Sequence, residues 1–125
     1  MNTFPTMDRI NEMLSEIADE IPIEFFTDLH GGILLVEASK QHAESMESRP
    51  LYIMGEYVRN VMGSQIKIYY GSFSNIYAKA SESRIRSELK KTLIHEFTHH
   101  LEYRAGLRGL EVKDAKQINA YRNKK

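Results

Sequence analysis

From Ser81 onward, the apolar residues Ile85, Leu89, Leu93, Phe97 and Leu101 recur at every fourth position. That spacing commits the segment to an amphipathic helix with one broad face to bury. Ile94 widens the face. Ser81 or Ser83 can cap the start, and Glu82 stands where the helix dipole favours an acid. Gly106 suits the C-terminal cap, so the expected helix runs about 20 residues.

A second helix is expected near the N-terminus. Thr6 follows Phe4-Pro5 as an N-cap, and Asp8 lies in the first turn. Met7, Ile10, Met13, Leu14, Ile17, Ala18 and Ile21 step by three and four, and Pro22 ends the pattern. Between the helices, Ile33 to Glu37 reads as a strand buried on both faces. Leu51 to Met54 is a short second strand. Gln65 to Tyr70 alternates and is the best strand, ended by Gly71-Ser-Phe-Ser-Asn75. Glu24 to Leu29 reads as a short helix or turn, Ser39 to Pro50 as a loop, and Gly55 to Gly63 as an irregular excursion. A last short helix is expected from Val112 to Tyr121. The whole describes one compact two-layer α/β (α+β) domain over residues 1–125, with the helices on one side of a three- or four-stranded sheet.

Charge and composition narrow the function. Seventeen Lys and Arg balance seventeen Asp and Glu. That argues against a nucleic-acid or membrane-surface binder acting through bulk charge. No window approaches the roughly 18 apolar residues of a membrane span. The acids Asp8, Glu12, Glu16 and Asp19 do not suit a signal peptide. With no cysteine, thiolate zinc sites, disulfides and cysteine nucleophiles are excluded. A cytoplasmic location is the simplest expectation.

The chemistry concentrates in His95-Glu96-Phe97-Thr98-His99, inside the long helix. Side chains at i and i+4 lie one above the other. Two imidazoles so placed can bind one Zn2+ at roughly 2.0–2.1 Å. Glu96 lies about 100° round the helix. It avoids competing as a ligand but can reach an attacking water, the geometry of a metalloprotease general base. His95 and His99 point nearly opposite to the apolar face, toward solvent or a cleft. Glu96 falls between the two sides, near Leu89 and Tyr103 in projection. A partly apolar setting there would raise its basicity.

A catalytic zinc site usually has three protein ligands and one open position. No His-x-x-Gly-x-x-His extension is present, so the third ligand is to be sought among Glu102, Glu111 and Asp114. Glu102 lies about 10.5 Å along the axis from His95, too far to share one ion easily. Glu111 and Asp114 follow Gly106 and Gly109, where the chain can turn back. Asp114 is preferred, with Glu111 second. His100 projects away from His99 and is expected to pack or hydrogen-bond near Glu96.

The stretch Leu93-Ile-His95-Glu-Phe-Thr-His-His100-Leu101 resembles the signature of the small zincin-like metallopeptidases of bacteria, the minimal zincins. Their length is similar, as is a strand of the Gln65–Tyr70 type one loop before the motif helix. Ile17 to Pro22 and Leu51 to Gly55 also fall in matching order. The resemblance implies a compact α/β fold, zinc on His95 and His99, and Glu96 as catalytic base. The family commonly has glycine and aspartate where this sequence has Glu102 and Ala105. Asp114 after a longer helix is the inferred replacement.

The expected function is zinc-dependent hydrolysis of a peptide or protein substrate. A zinc-binding structural or partner-binding module without turnover is the rival, and hydrolysis of a non-peptide amide is a third reading. His30 and His42 read as turn or surface residues. Tyr52, Tyr57, Tyr69, Tyr70 and Tyr77 read as strand and core-edge residues, one of which could donate to a tetrahedral intermediate. A sheet edge could hold an extended peptide. The oligomeric state is left open.

Overall fold

The computed structural model describes residues 4–46, 50–61 and 63–108, with side chains described as far as Gly106. The expected helix from Val112 to Tyr121 lies outside them.

Helix α1 spans Met7–Asp19 and is capped as expected, with the Arg9 N–H donating to Thr6 Oγ1. It buries Ile10, Met13, Leu14 and Ile17. A 3-10 turn at Ile23–Phe26 follows Pro22. Strand β1 is Ile33–Val36, β2 Lys40–Gln41, β3 Tyr52–Ile53, β4 Gly55–Asn60 and β5 Gly63–Tyr69. Helix α2, Tyr70–Ile76, follows β5 without a break, and α3 covers Glu82–Arg108.

The main sheet has the order β1-β5-β4. β1 runs parallel to β5, and β4 runs antiparallel to it. β2 and β3 form a separate antiparallel pair: β3 falls within the expected Leu51 to Met54 strand, and β2 within what reads from sequence as a loop. The core joins the buried face of α1 to Ile85, Leu89, Leu93, Phe97 and Leu101 of α3 and to Leu35, Ile66 and Ile68 of the sheet. The helices therefore cover one sheet face, as two-layer packing requires. Surface ion pairs Arg9–Glu82, Arg86–Glu16 and Lys90–Glu20 clasp α1 to α3.

Four expectations need correction. Residues 55–60 are no irregular excursion: they form edge strand β4, which pairs with β5 from Gly63 onward. Asn60 pairs with Gly63 at the turn, where Gly63 adopts φ 119°, a conformation suited to glycine. Glu56 and Arg59 flank Tyr57-Val58, so the segment lacks the apolar alternation of a buried strand, which an edge strand does not need. The segment after β5 turns at once into α2 instead of a loop. Helix α3 has 27 residues and passes through Gly106. An exposed glycine costs a helix only about 1 kcal/mol relative to alanine, too little to end one stabilised by its packed face. Lastly, β1 is not buried on both faces: Leu34 is 44% exposed, on the sheet face that carries no helix layer.

Candidate active site

Helix α3 lies along β4, and both run in the same direction. Thr92 meets Gly55, His100 meets Tyr57, and Tyr103 meets Arg59. The approach is close at Gly55, where a Cβ would stand 2.7 Å from Thr92 Cγ2. Beyond that contact, helix and strand frame a groove of about 670 Å³. His95, Glu96 and His99 line it from the helix, and Gly55, Glu56, Tyr57 and Arg59 from the strand. Glu102 and Tyr103 complete the lining.

His95 and His99 are exposed, as the wheel predicts. Their Nε2 atoms converge to 3.2 Å, with the rings edge to face at 4.7 Å between centroids. Two nitrogens on one tetrahedral zinc stand about 3.3 Å apart, given bonds of roughly 2.0–2.1 Å. The pair therefore has the span of two ligands to a single ion, and its donor chemistry fits zinc.

Glu96 is buried, at 6% exposure. That burial pushes its carboxyl above the ordinary glutamate value. The charge of nearby His99 opposes the shift, Glu56 adds to it, and the Tyr57 backbone N–H donates to the carboxylate and opposes it. The expectation of a partly apolar setting for Glu96 agrees with this placement.

The contact with Tyr57 fits the sheet register. Tyr69 N–H donates to Met54 O at 2.9 Å, which fixes the alternation along the strand pair. Residues 56, 58 and 60 then face β5, and Gly55, Tyr57 and Arg59 turn their N–H and C=O groups outward. The strand edge bordering the groove thus presents main-chain donors and acceptors to it.

The third ligand stands differently. Glu102 Oε1 lies 3.7 Å from His99 Nδ1, behind the ring and away from the converging Nε2 atoms. That distance is too long for a hydrogen bond, but Glu102 stands on the side of His99 from which a carboxylate commonly orients a metal-binding imidazole. Among the described residues no group of three His, Cys, Asp or Glu could hold a metal. Asp114 and Glu111 lie outside the described residues.

His100 is fully buried and belongs to another network. Its Nδ1 lies 2.6 Å from Tyr57 Oη and its Nε2 2.7 Å from Thr27 O. Its partners are Tyr57 and Thr27, and it relates to Glu96 only through Tyr57. Burial lowers its pKa, so the ring is neutral. Nε2–H donates to Thr27 O, and Nδ1 accepts from Tyr57. One hydroxyl proton cannot serve two partners, so Ser64 Oγ, 2.8 Å away, donates to Tyr57 Oη.

Of the tyrosines considered from sequence, Tyr57 lines the groove, but its hydroxyl is engaged in this network. Tyr69 Oη donates to Glu56 at 2.7 Å. Lys40 and Tyr69 hold the Glu56 carboxyl below its ordinary value, so an ionised acid lines the groove. Sequence reasoning placed Tyr103 near Glu96 without giving it a role, and it missed Arg59, whose guanidinium lies 3.8 Å from the Tyr103 ring centroid. A place for Tyr103 beside the histidines could have been read from its position four residues after His99 on the same helix. His30 is exposed beside Asp28, and His42 Nδ1 accepts from the Glu44 N–H; neither lines the groove.

The model of the zincin-like metallopeptidase family matches residues 10–118 of the chain. A solved structure, a conserved hypothetical protein from Thermo thermophilus, is 26% identical in sequence. Its similarity covers 81% of this chain and 98% of that one, with a TM-score of 0.69. No match is found among curated proteins. No described helix is long and apolar enough to cross a membrane. The family match spans nearly the whole chain, including the helix of paired histidines, and the chain belongs to the zincin-like metallopeptidases.

Proposed function

We propose that the protein is a zinc-dependent peptidase. The observation that carries this reading is the convergence of His95 and His99 Nε2 to 3.2 Å at a groove that buried Glu96 also lines. His95 and His99 would hold the ion, with Asp114 as third ligand and Glu111 as the alternative. A zinc ion there supplies Lewis acidity, which polarises a scissile carbonyl and makes water nucleophilic near neutral pH.

The chain's own residues supply the rest. Glu96 takes a proton from the attacking water onto its carboxylate and passes it to the leaving amine nitrogen. A carboxylate shifted upward by burial holds that proton long enough to deliver it. Glu102, 3.7 Å from His99 Nδ1, is near enough to close to a hydrogen bond and orient the ring that would face the ion. An extended peptide can lie along β4 and pair with the outward backbone groups of Gly55 and Arg59. Peptides or unfolded proteins are thus the favoured substrates, and the cysteine-free composition suits the cytoplasm.

The test uses purified protein resupplied with zinc, incubated with unfolded protein and a peptide library, with and without chelator. One equivalent of zinc and chelator-sensitive cleavage are expected. Glu96→Gln should keep the zinc and lose hydrolysis. Bound zinc without any cleavage would favour the rival reading, a zinc-binding module without turnover.

A further inference from the structure

Arg59 stands at the groove wall with its guanidinium stacked on Tyr103. Its setting differs from that of the other charged groups there. Glu56 is paired with Lys40 at 2.7 Å. Glu102 lies behind His99, and Glu96 is the buried acid between the histidines. Arg59 is the only Lys or Arg among the described residues lining the groove, and among them it forms no ion pair. The Tyr103 face limits the side chain's freedom while leaving the five N–H donors of the fork able to take a planar acid.

The strand register gives this charge an address. Residues directly opposite one another in an antiparallel pair project to the same face. Arg59 projects toward α3, as its contact with Tyr103 shows. A peptide residue pairing opposite Arg59 therefore places its side chain on the groove side, beside the guanidinium. Arg59 is two residues, about 6.8 Å, along β4 from Tyr57, whose backbone reaches Glu96.

Resting on the peptidase reading above, we infer that Arg59 is a specificity residue that takes a carboxylate of the bound peptide, two residues to one side of the scissile bond. The carboxylate is that of an Asp or Glu side chain or of the peptide's own C-terminus. The other side of the bond faces no such cation among the described groove residues, so the preference is one-sided.

The experiment uses the zinc-loaded full chain and ten-residue peptides of alanine, glycine and serine. Each carries one Asp, Asn or Lys moved through every position, and a further set ends two residues beyond the bond as free acid or amide. Cleavage sites are read by mass spectrometry. Binding of fluorescein-labelled copies to the Glu96→Gln protein is read separately by anisotropy. Asp is expected to exceed Asn by roughly fivefold, the scale of an exposed ion pair, at one position only. Arg59→Gln should level the two, Arg59→Glu should turn the preference toward Lys, and Arg59→Lys should keep part of it. A preference seen only in the free-acid set identifies the chain terminus as the ligand. Equal handling of Asp and Asn, or an Asp preference that survives Arg59→Glu, overturns the inference. If no peptide is cut, the peptidase reading fails, and the anisotropy series still decides on Arg59.

Discussion

Tyr57 Oη and His100 Nδ1 lie 2.6 Å apart, joining the edge strand of the sheet to the helix that carries the histidine pair. Ser64, Tyr57, His100 and Thr27 form one chain of hydrogen bonds across β5, β4, α3 and the turn after the 3-10 segment. Both ring nitrogens of a fully buried histidine are thereby satisfied. The network ties the two walls of the groove together, since Tyr57 belongs to β4 and His100 to α3.

Removing one link leaves buried polar groups unpaired. Tyr57→Phe deletes the hydroxyl and strands His100 Nδ1 and Ser64 Oγ. The expected loss is about 1–3 kcal/mol, read as a lower midpoint in urea unfolding. Zinc stoichiometry should be unchanged, because His100 Nδ1 and Nε2 are both committed away from the His95–His99 pair. A midpoint equal to that of the parent protein would show that the network contributes nothing.

The zinc ligands and the residue behind them should separate by magnitude. His95→Ala and His99→Ala each remove half of the converging pair and should abolish zinc binding. Glu102→Gln removes only the carboxylate 3.7 Å from His99 Nδ1. It should weaken zinc affinity by roughly 10–100-fold while leaving one equivalent bound at saturation. Competition with a chelating dye measures both. An Asp114→Ala protein examined in the same titration tests the third-ligand assignment: loss as complete as that of His99→Ala supports it.

How much of this was legible in the sequence follows from the range of the interactions. The helices and the histidine pair are local patterns, periodic at three to four residues, and they were readable. The burial of Glu96 was also foreseeable, since it falls between the apolar and histidine faces of one helix. Strand β4 was not, because an edge strand lacks the full apolar alternation and Gly55 resembled a breaker. The Tyr57–His100 contact joins residues 43 positions apart, and Arg59 meets Tyr103 across a similar gap. Nothing local to any of these residues announces its partner. Gly106 misled because intrinsic propensity is a weak guide where a packed face carries a helix through.

Acid should loosen the clasp between the two helices. Hydrogen bonds from Arg86 and Arg9 hold the carboxyls of Glu16 and Glu82 below their ordinary values in the fold. The unfolded chain then binds more protons than the native one as pH falls below the unfolded glutamate value. Their contribution is present above that value and is lost as pH falls through the lowered folded values. Both groups are exposed, so the effect is modest and salt-sensitive. Melting temperatures from pH 6 down to pH 3 should fall less steeply for the Glu16→Gln, Glu82→Gln double variant than for the parent. Identical slopes would show that the clasp is energetically silent.

Gly55 tests whether the groove depends on the closeness of its walls. A Cβ there would sit 2.7 Å from Thr92 Cγ2 and 3.3 Å from Ile68 Cδ1. Thr92 is β-branched and has little freedom to turn aside. Gly55→Ala must therefore push α3 from β4, at a cost of about 1–3 kcal/mol for overpacking. The displacement would act on Glu96, one helical turn beyond Thr92, and lengthen its contact with the Tyr57 backbone. Peptide hydrolysis should fall further than the loss of stability explains, with zinc still bound by a histidine pair that lies wholly on α3. Thr92→Ser removes the opposing methyl and should restore both properties in the Gly55→Ala background. Failure of that second change to rescue would assign the defect to the backbone at position 55 and not to the contact.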